Sequence, residues 1–143
     1  MTLLRHVVAV VLVALFLLLA ALHVYWAAGG RWGASVAVPE VGGRPAFQPG
    51  PAATLVVALL LAAAAAVVAA RARFVPDLGA PWLFRAGAWT LSAVFALRTI
   101  GNFRTFGLFR AARDTAFARY DRVLFTPLCV AIAVGCLLIA REP

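Results

Sequence analysis

Apolar residues run through this chain in four long blocks, and the polar residues are confined largely to the stretches between them. Leu3 to Trp26, Ala52 to Ala70, Trp82 to Ile100 and Val123 to Ala140 each approach the roughly 20 helical residues needed to cross a hydrocarbon core about 30 Å thick. Lipid cannot satisfy a bare backbone, so only helices or a closed barrel can span it, and the short alternating segments of a barrel are absent from these blocks. The pattern predicts an all-α fold, an integral membrane four-helix bundle. It forms a single domain over residues 1–143, with a turn-rich first loop and an arginine-rich third loop.

The first block follows Arg5 and His6 as the core of a signal peptide would. Tyr25 and Trp26 stand where the small residues of a cleavage site belong, so the block is expected to remain as an anchor helix. Residues 27–51 follow, with glycine pairs at Gly29-Gly30 and Gly42-Gly43 and four prolines. Such punctuation predicts turns and no helix. Trp32, Val36, Val38 and Phe47 are too apolar for a free linker and predict a cap folded over the bundle mouth.

The alanine-rich second block predicts the central packing post, since small residues let helix backbones approach closely in lipid. A short connection with Pro76, Gly79 and Pro81 makes the second and third blocks antiparallel neighbours. In the third block, Arg85, Trp89, Ser92, Ala96 and Thr99 recur at spacings that predict one helix-facing seam. In the fourth, Pro127 removes a helical hydrogen bond and predicts a kink or a late start.

Between the third and fourth blocks lies the chemically richest stretch, LRTIGNFRTFGLFRAARDTAFARYDRVLFTPLC. Projected at about 100° per residue, Phe103, Phe106, Phe109, Phe117 and Tyr120 share an arc with Arg110 and Arg113, which a simple surface helix avoids. Either Gly107 breaks the helix, or these arginines turn inward to an anionic group. An arginine as deep in its span as Arg98 needs a partner or must snorkel, and Asp121 is the carboxylate placed to pair with it.

Charge refines this picture. The chain is 65% hydrophobic and 13% charged, with 13 arginines, no lysine and five acids, Glu40, Asp77, Asp114, Asp121 and Glu142. Arginines flanking apolar spans meet lipid phosphates, so the basic excess marks the bilayer as the partner and not nucleic acid. Cys129 and Cys136, seven residues apart on one helix, stand about 10.5 Å apart along its axis, too far to form a disulfide with each other. No metal-ligating cluster, catalytic constellation or cofactor motif is present, and GGRWG lacks the lysine and strand context of a phosphate-binding loop.

Four spans place loops one and three on one side, whatever the absolute orientation. Parity therefore gathers His23, Trp26, Trp32, Arg98, Asn102, Arg110, Arg113 and Asp121 at one mouth as candidate binding residues. Eight arginines fall on that side against five on the other, a bias toward a cytoplasmic mouth that points the other way if the third-loop arginines serve a site, so orientation stays open.

HVYWAAGGRWG, LRTIGNFRTFG, TAFARYD and FTPLC together resemble an uncharacterised family of small bacterial four-span membrane proteins, a domain of unknown function. The resemblance covers nearly the whole chain. It implies a multi-pass protein of the bacterial inner membrane, with His23, Trp26, Gly30, Trp32, Arg98, Gly101, Phe103, Asp121, Pro127 and Leu128 as its motif residues. It implies no activity.

Three functions fit these residues. The first is binding or passage of a small molecule, lipid headgroup or anion at the mouth formed by loops one and three. The second is a structural or accessory role beside a partner membrane subunit or within a homo-oligomer. The third is an enzyme using His23 and Asp121 as acid and base, for which a nucleophile and a second nearby histidine are lacking.

Overall fold

A computed structural model describes residues 2–76, 79–111 and 113–141. Asp77 of the second connection and Glu142 and Pro143 of the polar tail lie outside the described residues. The fold is all-α in its main elements, in chain order α1 (Leu3–Ala27), α2 (Ala34–Ala37), α3 (Pro51–Arg71), α4 (Pro81–Ile100), α5 (Ala116–Tyr120) and α6 (Thr126–Ala140). A π-helical turn over Asp121–Phe125 joins α5 to α6, so the last helical segment runs unbroken from Ala116 to Ala140. Its start is thus seven residues earlier than position 123, where the apolar block begins.

Both α3 and α4 open on a proline, whose missing N–H is one of those a first helical turn leaves unbonded anyway. Among the described residues, three helices are long and apolar enough to cross a membrane: Leu3–Ala27, Pro51–Arg71 and Ala116–Ala140. The 20-residue α4 is as long as a span but carries Arg85 and Arg98.

The first loop departs from the all-turn expectation. It contains the single helical turn α2 and a two-residue hairpin, β1 (Glu40–Val41) with β2 (Arg44–Pro45), in which Glu40 pairs Pro45 and Val41 pairs Arg44. α2 packs against α5, so the loop does fold back toward the third loop. Trp32 and Phe47 nevertheless point outward and only Val36 and Val38 are half-buried.

The long helices pack with α1 along α3, α4 along α6, and α3 also against α4. Their directions follow from contacts at the ends. His6 meets Phe74 edge-on at 4.9 Å, and the Arg71 guanidinium donates to the Ile139 carbonyl at 3.4 Å. The start of α1 and the ends of α3 and α6 therefore share one end of the molecule. Arg98, at the close of α4, meets Asp121 at the other, where α2 packs on α5. Loops one and three lie together at that end.

The core joins Ala9, Leu12 and Phe16 of α1 to Ala64, Ala65 and Val68 of α3 and Ile132, Cys136 and Ile139 of α6. The alanine-rich α3 packs along α1 and against α4 and α6, while the last helical segment, Ala116–Ala140, is the most enclosed: 44% of its most apolar window is buried, against 28% for α3 and 22% for α1. The reason is local. Gly135 lets the side chains of Val8 and Leu12 close onto the α6 backbone, and buried Ser92 donates a 2.9 Å hydrogen bond to the Ala133 carbonyl.

The inward face of α4 also differs from the expected seam. Ala88, Ser92 and Thr99 are buried, with Leu91 and Phe95 partly so, whereas Arg85, Trp89 and Ala96 face outward. Small residues at 88 and 92 bring the helix close to α6, and the arginine and tryptophan rotate out. Large apolar side chains such as Leu18, Leu59, Leu60, Leu97 and Val134 are exposed around the whole helical surface. Water would penalise such a surface and an acyl-chain environment would not.

Candidate functional site

The site starts where α4 must stop. Gly101 has φ +91° and Gly107 φ +89°, and between them the chain turns back so that the two glycines lie backbone against backbone. A Cβ on Gly101 would run into the Phe106 carbonyl, and one on Gly107 into Gly101 itself, so neither position admits a side chain. The return is fastened by the Leu108 N–H donating to the Thr99 carbonyl at 2.8 Å. Inside the turn, the Asn102 side-chain oxygen accepts from the N–H groups of Arg104, Thr105 and Phe106 at 3.1, 2.8 and 3.2 Å. No helix runs from Phe103, itself at φ +61°: the described residues between Ile100 and Ala116 are turns, bends and irregular backbone, with Gly107 at one of the bends.

Arg110 turns inward to an anionic partner. It is 8% exposed, and donates to the Gly107 carbonyl at 2.7 Å and to Asp121 at 3.3 Å. Asp121 is wholly buried and accepts four donors. Arg98 approaches one oxygen at 2.7 Å; the other takes the Gly107 N–H at 2.8 Å, the Thr126 hydroxyl at 3.1 Å and Arg110. The expected Arg98–Asp121 pair is present, but within a larger lock that ties α4, the third loop and the last helix together. The Arg98 guanidinium also lies 4.3 Å over the Phe106 ring, a cation–π contact.

The helical segment bearing Asp121 starts at Thr115, whose hydroxyl caps α5 by accepting the Ala118 N–H at 3.0 Å. It widens into the π turn just ahead of Pro127. Proline donates no hydrogen bond and its ring presses on the carbonyl four residues back, so a wider turn there relieves both problems. The α-helix α6 starts at Thr126 with Pro127 in its first turn, as the proline predicts, and the π turn extends the helical segment ahead of it.

Beside the lock opens a cleft of about 250 Å³ lined by Leu108, Arg110, Arg113, Arg122 and Thr126. Its lining is basic: it holds Arg110, Arg113 and Arg122 and no carboxylate, and Arg110 shares the neighbouring Asp121 with Arg98. Two buried guanidinium nitrogens, Arg98 Nη1 and Arg110 Nε, have no hydrogen-bond partner. Buried donors are seldom left unpaired, and each marks a position where an acceptor would be favourable.

The candidate residues divide into two groups. Arg98, Arg110 and Asp121 form the lock, Arg113 lines the cleft, and Asn102 shapes the loop between. His23, Trp26 and Trp32 gather at the end of α1. The His23 ring meets Trp26 edge-on at 5.0 Å, and its Nδ1 donates to the Leu19 carbonyl of its own helix at 2.8 Å, not to a loop carbonyl. Trp26 donates its indole N–H to the Trp32 carbonyl at 2.8 Å, and the Tyr25 ring covers Gly30 so closely that no side chain fits there. Among the described residues no hydrogen bond or ring contact joins this group to Asp121, so an acid–base pairing of His23 with Asp121 has no bond to carry it.

Gly107, Arg122 and Thr126 escaped the sequence-based site. Arg122 follows Asp121 directly and was counted only as loop charge. Thr126 stands five residues on, a spacing that points away from Asp121 in a regular α-helix. Gly107 contributes only a backbone N–H, which residue type does not reveal.

Residues 16–136 match the family described as Protein of unknown function (DUF3995). The chain belongs to that family. The match spans both halves of the mouth, from α1 through the lock to Cys136 in α6. No curated protein and no solved structure matches the chain.

Proposed function

We propose that the chain is a four-span protein of a bacterial inner membrane whose arginine cleft binds an anionic group, a lipid headgroup or a small anion, at the mouth shared by loops one and three. Support for a fourth span comes from the outer face of α4, where Leu83, Val94, Leu97 and Ile100 are exposed. Arg85 and Arg98 lie near the two ends of that helix, where a guanidinium can reach headgroups or, for Arg98, Asp121. The bacterial setting is the one that the sequence resemblance implies.

The observation that carries the binding proposal is Arg110. It is nine-tenths buried, shares its carboxylate with a second arginine, keeps a buried Nε without a partner, and lines a cleft that two further arginines also line. An anion in the cleft would supply both the missing acceptor and the missing charge.

The test is thermal unfolding of the protein in neutral detergent with rising inorganic phosphate, compared with the Arg113→Gln/Arg122→Gln variant. A ligand at about 100 times its Kd stabilises by about 2.7 kcal/mol, an increment expected for the wild type and lost in the variant. Phosphate also stabilises proteins by exclusion from their surfaces, so the difference between the two proteins is the readout. Equal responses would remove the cleft as an anion site.

A second reading, an accessory subunit or homo-oligomer, is favoured by exposed Ala62, Ala63 and Ala66 on α3, small enough for another helix to approach closely. Discrete crosslinked dimers through a cysteine at Ala62, in a Cys129→Ala/Cys136→Ala background, would support it.

A further inference from the structure

Exposed apolar side chains include Leu108 of the cleft and its neighbours in sequence. Leu108 is 62% exposed, Phe109 beside it 62%, Phe103 63%, and Val123 on the π turn 77%. Phe103 and Phe109 stack with centroids 6.2 Å apart. These residues stand at the ends of two long apolar helices, so in a bilayer they contact the upper acyl chains while the guanidiniums lie at phosphate depth. A site for an ion arriving from water would be expected to have a polar rim. Basic side chains with exposed apolar ones beside them complement a phospholipid, whose phosphate and chains are joined in the same order.

Resting on the anion-binding reading above, we infer that the cleft holds the headgroup of a phosphate-monoester lipid. Of the three arginines that line the cleft, Arg110 is already paired with Asp121, which leaves the two positive charges of Arg113 and Arg122. A phosphodiester lipid phosphate brings one negative charge and two non-bridging oxygens, whereas a monoester brings about 1.5 to 2 charges at neutral pH and three such oxygens. Arg113 and Arg122 offer two planar forks, the geometry that matches phosphate oxygens in pairs, beside Arg110, whose Nη1 is held by Gly107 and Asp121. Size agrees with this choice. The cleft of about 250 Å³ lies below the roughly 300–1,000 Å³ of pockets that enclose drug-sized molecules, leaving room for a bare phosphate more readily than for a substituted headgroup.

The experiment is native mass spectrometry of the delipidated full chain in neutral detergent. It is titrated separately with phosphatidic acid, phosphatidylglycerol, phosphatidylcholine and inorganic phosphate. Phosphatidic acid should be retained about tenfold over phosphatidylglycerol, and more over phosphatidylcholine. Arg113→Gln/Arg122→Gln should weaken that retention by about thirtyfold with its unfolding temperature unchanged, since both side chains are exposed and outside the lock. Arg104→Gln/Arg119→Gln removes the same charge from the same loop outside the cleft and should leave the preference intact. Equal retention of the two anionic lipids, or equal losses in the two double variants, overturns the inference in favour of diffuse charge attraction. Binding of inorganic phosphate without retention of phosphatidic acid overturns it while sparing the anion-binding reading. Binding of neither sinks both.

Discussion

Thr126 donates its hydroxyl at 3.1 Å to Asp121 although five residues separate the two along one helical segment. At about 100° per residue a regular α-helix would set them about 140° apart, on different faces. The π turn over Asp121–Phe125 returns them to the same face, so a backbone irregularity completes the carboxylate's shell. Thr126→Val keeps the shape and removes the donor. It should lower stability by about 1.5 to 3 kcal/mol, the usual worth of a hydrogen bond to a charged group, while Thr126→Ser retains most of it. Chemical denaturation in a fixed detergent measures both, and a neutral valine would show the hydroxyl to be dispensable.

The long helices were legible because hydrophobic block length is a direct readout of what lipid demands of a chain. The Arg98–Asp121 pair was legible for a related reason, since a charge inside an apolar block needs an opposite charge within reach. The π turn was not, because its origin, the burden of Pro127 on the preceding carbonyls, can equally end in a kink. The α4 seam was misplaced because Arg85 and Trp89 share the spacing of Ser92 and Thr99. Periodicity finds a stripe without saying which stripe faces inward; the small residues Ala88 and Ser92 decide that through close packing. The prominence of α6 over α3 came from Gly135 and the Ser92–Ala133 bond, contacts that become visible only once a neighbour is chosen.

The paired glycines give a second prediction. Gly101→Ala and Gly107→Ala each force a Cβ into backbone that has no flexible end to move, in a conformation L residues rarely adopt. Each should cost more than about 4 kcal/mol or abolish folding, the range reserved for such gross defects. Gly42→Asn, also at positive φ but in open space, should be nearly neutral, since asparagine tolerates the left-handed region. Yield of monodisperse protein on gel filtration would separate these outcomes, and a well-behaved Gly101→Ala protein would contradict the folded-back turn.

Sidedness gives a third. In a Cys129→Ala/Cys136→Ala background, single cysteines at Ser35 and Thr105 should react with an impermeant maleimide from the same side of the membrane. One at Val75 should react only from the other. Those positions lie in loop one, loop three and the turn after α3, which the end contacts of the helices assign to two opposite ends. Labelling of Ser35 and Thr105 from opposite faces would mean that the two halves of the mouth never meet and that α4 does not span.

The last prediction concerns how Asp121 divides its stabilisation between two arginines. Removing one partner of a buried ion pair typically costs about 3 to 5 kcal/mol, because the other charge is left without compensation, whereas an exposed pair is worth about 0 to 1 kcal/mol. Asp121→Asn strands two guanidiniums at once and leaves an amide facing four donors, so it should be the most damaging single change in the lock. Arg98→Gln leaves Arg110 still paired and should cost less, particularly as 27% of the Arg98 side chain already reaches solvent. Arg110→Gln removes a longer contact to Asp121, 3.3 Å against 2.7 Å, but from a more enclosed site and together with the bond to the Gly107 carbonyl. In the double-mutant cycle, Asp121→Asn with Arg98→Gln should lose clearly less than the sum of the single losses, because the stranded charge disappears along with its partner. Adding Arg110→Gln should widen the shortfall further if the three groups act as one network. Strict additivity in both cycles would reduce Arg98 to a headgroup anchor and would show that the three groups do not act as one network.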